Sequence, residues 1–180
     1  MSDGADGRRT AKRNIWILTA AQALGGANAP IVISLGGLVG QRLSSDPTLV
    51  TLPVSLLNLG LAIGTLPAAM VMRRFGRRAG YILGACLGLV AGLVAAFGIL
   101  RGNFVLFCAG AAIAGAYSAY VQSYRFAAAD SEEGPDSQRA IARVMIGGLV
   151  AAIIGPQLVI WTRDALPGTP FAGSFLSQAA

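Results

Sequence analysis

Residues 49–100 read LVTLPVSLLNLGLAIGTLPAAMVMRRFGRRAGYILGACLGLVAGLVAAFGIL. Residues 49–72 carry no charge, Arg73-Arg74-Phe75-Gly76-Arg77-Arg78 follows, and residues 79–100 are again uncharged. The hydrocarbon core of a bilayer is about 30 Å thick, and a helix crosses it with about 20 apolar residues. Each flank is long enough to cross once. In lipid the backbone N–H and C=O groups must pair within the segment, which a helix achieves. A barrel strand would alternate apolar and polar residues, whereas both faces of these flanks are apolar. The four arginines therefore mark a short charged connection between two spanning helices.

Working outward, the same test predicts three more spans. They cover residues 15–40, 104–124 and 144–161, beside the two at 49–72 and 79–100. Residues 41–48, 73–78, 101–103, 125–143 and 162–169 separate them and hold the charges and turn formers. A last apolar stretch, residues 170–180, would reach only about 16 Å as a helix, half a membrane. Either that tail lies on the outer surface or the chain is cut from a longer one; the second is the expectation. The fold class is an all-α membrane protein, a polytopic helical bundle over residues 14–180 behind a basic tail, residues 1–13.

Composition agrees and excludes several functions. Charged residues make up 12% of the chain, about half the roughly 25% of a soluble domain. With no histidine in the sequence, a His-ligated zinc site, a His-based triad and a His proton shuttle are all excluded. Two cysteines, Cys86 and Cys108, are too few for a disulfide scaffold or a Cys-rich metal site, so neither a metal nor a cofactor is expected. The one lysine, Lys12, stands in no phosphate-binding loop. A net charge of +6 raises nucleic acid as a partner, but the cations sit in small clusters between uncharged runs and line no soluble face.

Those clusters set an orientation. Arg8, Arg9, Lys12 and Arg13, then Arg73, Arg74, Arg77 and Arg78, then Arg125, Arg139 and Arg143 fall on one side; Arg42, Arg101 and Arg163 fall on the other. A split of 11 to 3 puts the N-terminus in the cytoplasm by the positive-inside rule. All eight acids lie outside the spans, so this stretch offers no carboxylate at depth for proton coupling and no base beside a nucleophile. No enzyme is expected.

The polar residues inside the spans are Gln22, Asn28, Asn58, Tyr117, Tyr120, Gln122 and Gln157. In lipid such groups either bond between helices or face a water-filled cavity. Tyr117, Tyr120 and Tyr124 share one helix face, with Tyr124, beside Arg125, at the interface. Asn28, Tyr117, Tyr120 and Gln157 are the candidates for substrate binding. Small residues repeat every four positions at Gly147, Ala151 and Gly155 and at Gly36 and Gly40, a pattern of close helix packing. Pro30, Pro67 and Pro156 lie within spans, where proline kinks a helix.

The run Met70-Val71-Met72-Arg73-Arg74-Phe75-Gly76-Arg77-Arg78-Ala79-Gly80 resembles the signature of the major facilitator superfamily, Gly-x-Leu-Ala-Asp-Arg-Phe-Gly-Arg-Arg. Arg74, Phe75, Gly76, Arg77 and Arg78 match its second half; Arg73 replaces its Asp and Ala69 its Gly. Gly155-Pro156 resembles the family's antiporter motif, with Val159 and Ile160 in place of its trailing glycines, and the arginine usual four residues before Gly115 is Ala111. The resemblance implies a gating loop at Arg74, Gly76, Arg77 and Arg78 and a kink at Pro30, Gly155 and Pro156. It implies the N-terminal half, spans one to five and the start of six, of a secondary transporter moving a small solute by alternating access. The partners implied are the lipid bilayer, an unknown solute, and a missing C-terminal half or a homodimer partner. A non-transporting assembly or interaction subunit of the same inner membrane is the alternative.

The orientation has a direct test. In a Cys-free background, cysteines at Arg8, Gly76 and Glu133 should resist an impermeant thiol reagent added to intact cells, while one at Asp46 should react. Labelling at Gly76 from outside would invert the topology.

Overall fold

Proline removes one hydrogen bond of a helix ladder, and glycine weakens a helix by about 1 kcal/mol relative to alanine. The segment Gly25-Gly26-Ala27-Asn28-Ala29-Pro30 is thus the weak point of the first apolar run. In the computed structural model, which describes residues 3–44, 46–130, 135–162 and 171–179, the run divides there. Helix α1 covers Asp3–Gly25 and helix α2 covers Asn28–Leu43. The span expected as one helix over 15–40 is two helices end to end. Ala27 N–H bonds the Leu24 carbonyl at 3.2 Å, tightening the last turn of α1. Pro30 lies in the first turn of α2, where a missing N–H has no ladder partner to lose, so it starts a helix here and does not bend one. The side chains of residues 3–12, Arg8, Arg9 and Lys12 among them, lie outside the described residues.

Helix α3, Leu52–Leu100, holds the two central spans. Its one non-helical residue is Gly76, at φ 83° and ψ 163°. Glycine alone enters that region without strain. Gly76 splits α3 into two arms, residues 52–75 and 77–100. The helices run up to the glycine from both sides, so the separator expected over 73–78 shrinks to one residue.

Helix α4, Phe104–Gln122, starts at Asn103, whose side chain accepts from the Leu106 N–H at 3.0 Å and so caps the helix. It packs against both arms of α3 with almost no side chain between. A Cβ at Gly60 would lie 2.1 Å from the Ala112 carbonyl oxygen, and one at Gly115 would lie 2.0 Å from that of Leu57. The second arm runs antiparallel to α4, with Gly98 against Phe107 and Gly84 against Tyr120.

Helix α5, Tyr124–Ala129, and helix α6, Pro135–Thr162, follow. Both extend into the separator expected over 125–143, because their polar ends continue the ladder beyond the apolar stretch. Glu132 and Glu133, and the separator from Arg163, lie outside the described residues. Gly147 and Gly155 of α6 press on Thr19 and Pro30, the close packing their spacing implied. Helix α7, Ala172–Ala179, is not a surface tail. Phe175 is buried and meets Phe107 edge-on at 5.3 Å, and the Thr162 hydroxyl donates to Ser174 at 3.0 Å.

The core gathers Ile31, Val32, Leu35, Val39, Ala95, Phe107, Ala111 and Phe175, and a smaller cluster joins Ile15, Ala128, Ala140 and Val144. Four helical segments, Arg13–Leu43, Pro47–Leu100, Phe104–Ala129 and Ser137–Thr162, are long and apolar enough to cross a membrane, the second being 54 residues long with Gly76 inside it. No strand occurs among the described residues. The chain is an all-α integral membrane bundle.

The seam predicts which glycines matter. Gly60→Val and Gly115→Val should each lower the yield of monodisperse protein in detergent several-fold. Gly37→Val should not, since nothing lies within 4 Å of a Cβ there. Equal yields for the three variants would count against a backbone seam.

Candidate functional site

Two places in the bundle gather polar side chains. The first surrounds the break between α1 and α2. Asn28 is 2% exposed. Its amide donates to the Ala114 carbonyl at 3.0 Å and to the Ser118 hydroxyl at 2.9 Å, and Ser118 donates to the same carbonyl at 3.0 Å. The broken helix is thereby tied to α4 at depth. Tyr117, one residue along α4, fits where two glycines leave room. A Cβ at Gly25 would lie 2.6 Å from its hydroxyl oxygen, and one at Gly88 would lie 3.2 Å from its ring.

The four candidate binding residues are only partly brought together. Asn28 and Tyr117 meet the same stretch of α4 and the same helix break. Tyr120 is buried against Gly84, in a cluster with Ala68 and Ala119. The face it shares with Tyr117 is the one turned to the second arm of α3. Gln157 stands apart, exposed on α6, two residues beyond the Gly155 that touches Pro30. Asn58 is exposed and turns its amide back on the Val54 carbonyl at 3.0 Å; Gln122 is exposed at the end of α4.

The second place is the Gly76 end of the bundle. Arg77 forms an ion pair and hydrogen bond with Asp130, at the end of α5. The pair joins residues 53 positions apart, and nothing in the spacing of the sequence pointed to it. Arg74 lies over the Phe75 ring at 5.5 Å, a cation–π distance. Arg78 is exposed. Tyr81 and Tyr124 meet edge-on at 5.0 Å, so Tyr124 packs within the bundle. Arg73, Arg77 and Arg125 rim a cavity of 470 Å³ whose wall includes Thr65, Ala69, Met72, Tyr81 and Gln122. Among the described residues no cluster of three His, Cys, Asp or Glu could hold a metal.

A bundle of apolar helices folded back at a glycine between arginine pairs, with neutral polar groups buried inside it, is the architecture of a polytopic membrane protein. The chain belongs to the Major Facilitator Superfamily, whose profile matches residues 15–176. It is 68% identical over 169 residues to the riboflavin transporter RfnT of Brucella anthropi, a match covering 94% of this chain and 42% of that protein. It is 31% identical over 176 residues to YdeG of Bacillus subtilis, an uncharacterized MFS-type transporter, covering 94% of this chain and 40% of the relative. Both carry the names of transporters, not enzymes. The chain spans about two fifths of the length of these relatives. No solved structure matches it.

The turn at Gly76 gives a test of the loop. In the full-length protein Gly76→Val should abolish transport and leave membrane insertion largely intact, because φ near 83° strains any residue with a Cβ. Unchanged uptake would reduce the arginine loop to an orienting charge cluster.

Proposed function

We propose that this chain forms one half of a secondary transporter that moves riboflavin across the inner membrane by alternating access, with the N-terminus in the cytoplasm. The observation that carries this reading is the 68% identity to a protein named as a riboflavin transporter, sustained over 94% of the chain. The chemistry of the bundle supports it. Riboflavin is uncharged at neutral pH, so it asks for no buried counter-charge, and every acid of the chain lies outside the apolar runs. Its flat ring system is apolar on its faces and hydrogen-bonding at its edge, which suits a wall of small and apolar residues carrying few amides and hydroxyls.

Of the four candidate residues, Gln157 is the exposed one and is assigned direct contact with solute. Asn28, Tyr117 and Tyr120 act from within, by fixing the broken helix and α3 on α4. Arg74, Gly76, Arg77 and Arg78 form the gating loop, held by Asp130; Gly155 and Pro156 give α6 its pliable turn, which sits on Pro30 at the start of α2. The second wall of the pathway is assigned to a further half, as the length of the relatives suggests, with a second copy of this chain as the other source.

The test is uptake. The full-length protein, expressed in a bacterium that neither makes nor imports riboflavin, should restore growth on low external riboflavin and accumulate the labelled vitamin. Correct insertion without growth or uptake would overturn the assignment.

A further inference from the structure

Most outward faces of the bundle are apolar. The second arm of α3 shows Ile82, Leu83, Leu89, Leu93 and Phe97. Such faces suit lipid. The first arm of α3 departs from this. Thr51, Ser55, Asn58, Ala62, Thr65 and Ala69 are all exposed. They recur at alternating steps of four and three, which lines them up on one side of a helix. Leu59, Ile63, Leu66 and Met70 make a separate, apolar row beside them. At about 1.5 Å per residue this row of four polar residues and two alanines runs roughly 27 Å, close to the depth of the hydrocarbon core. It leads to Arg73, on the rim of the 470 Å³ cavity, and both Thr65 and Ala69 line that cavity.

The polar groups of this row bond only to their own helix. The Ser55 hydroxyl donates to the Thr51 carbonyl at 3.3 Å, Asn58 to Val54 at 3.0 Å and Thr65 to Leu61 at 2.7 Å. Each bond uses one donor and leaves the acceptor lone pairs of the group over. Facing lipid, those acceptors would have no partner and would be costly. The cavity rimmed by Arg73, Arg77 and Arg125 lies at the end of the row, and a water-filled pathway along this face would give those acceptors partners.

We propose that this row is the solute-facing wall of the translocation pathway, and that Asn58, midway along it, hydrogen-bonds the solute. An amide donates and accepts side by side, which complements the imide edge of a flavin, where an N–H lies between two carbonyls. Ser55, about one turn away, serves the hydroxyls of a polyol chain. The identity of the solute rests on the function proposed above; the access of water to the row does not.

The experiment uses the full-length protein with Cys86→Ser and Cys108→Ser. Single cysteines replace Ser55, Asn58, Ala62 and Thr65 in the row, and Leu59 and Leu66 beside it. In open membrane fragments a charged thiol reagent should label the row several-fold faster than the leucine positions, and riboflavin should slow labelling at Ala62→Cys but not at Leu66→Cys. Asn58→Ala should raise the riboflavin KM about tenfold, near 1.4 kcal/mol, with kcat little changed. A row that labels no faster than Leu59→Cys and Leu66→Cys in a protein that transports riboflavin would overturn the wall alone, and mark the face as a buried contact. An unchanged KM would overturn the role of Asn58. Labelling along the row in a protein that moves no riboflavin would remove the flavin and keep the wall.

Discussion

The contact on which the bundle depends is the one between α3 and α4, made where side chains are missing. In lipid, helices gain nothing by hiding apolar surface from water, because the solvent is itself apolar. They associate by close packing, and the closest packing is backbone on backbone. Gly60 and Gly115 allow it on the first arm of α3, and Gly98 allows it on the second. Both arms thus share α4 as a common support. With the arms fixed on α4, Gly76 is held at the fold-back between them, and the arginines on either side are placed together at one end of the bundle.

That support also explains how the first span tolerates a break. A gap in a helix at membrane depth leaves backbone groups to be satisfied by neighbours. Here Gly26, Ala27 and Ile31 turn their N–H groups to the local carbonyls of Gln22, Leu24 and Ala27, and side chains of α4 and the packed edge of α6 hold the break in place. Asn28 spends its amide on α4, the Tyr117 hydroxyl lies against Gly25, and Gly155 lets Pro30 sit directly on α6. The break becomes a joint with fixed partners on two sides.

Much of this was legible in the sequence, and the part that was not has a physical pattern. Runs of uncharged residues declare spans because the cost of a charge in hydrocarbon is large and local. Gly76 declared itself because it stands between arginine pairs in a familiar run. The break at Gly26–Ala27 did not, since hydropathy sees apolar residues on both sides of it and Pro30 read as a kink. Nor did Asn28: whether a buried amide meets solute or a neighbouring carbonyl depends on which helix lies opposite, and that is a property of packing. The Arg77–Asp130 pair was hidden for the same reason, joining the start of the second arm of α3 to the end of α5, whose proximity only the folded bundle creates.

The distribution of charge ties these pieces to transport. The arginine clusters and Asp130 sit at the end of the bundle where Gly76 turns, while the depth of the bundle is neutral. The gate and the binding wall proposed above would thereby be separated along the membrane normal. Ionic contacts such as Arg77–Asp130 can form and part near water, where exposed pairs contribute little, about 0–1 kcal/mol, and so resist neither state strongly. At depth, the same exchange would strand an uncompensated charge in hydrocarbon. Neutral hydrogen-bonding groups avoid that penalty, and a neutral solute leaves them nothing to neutralise. The chain keeps its ion pair at the end of the bundle and its buried polar groups uncharged, an arrangement that agrees with the movement of an uncharged molecule proposed above.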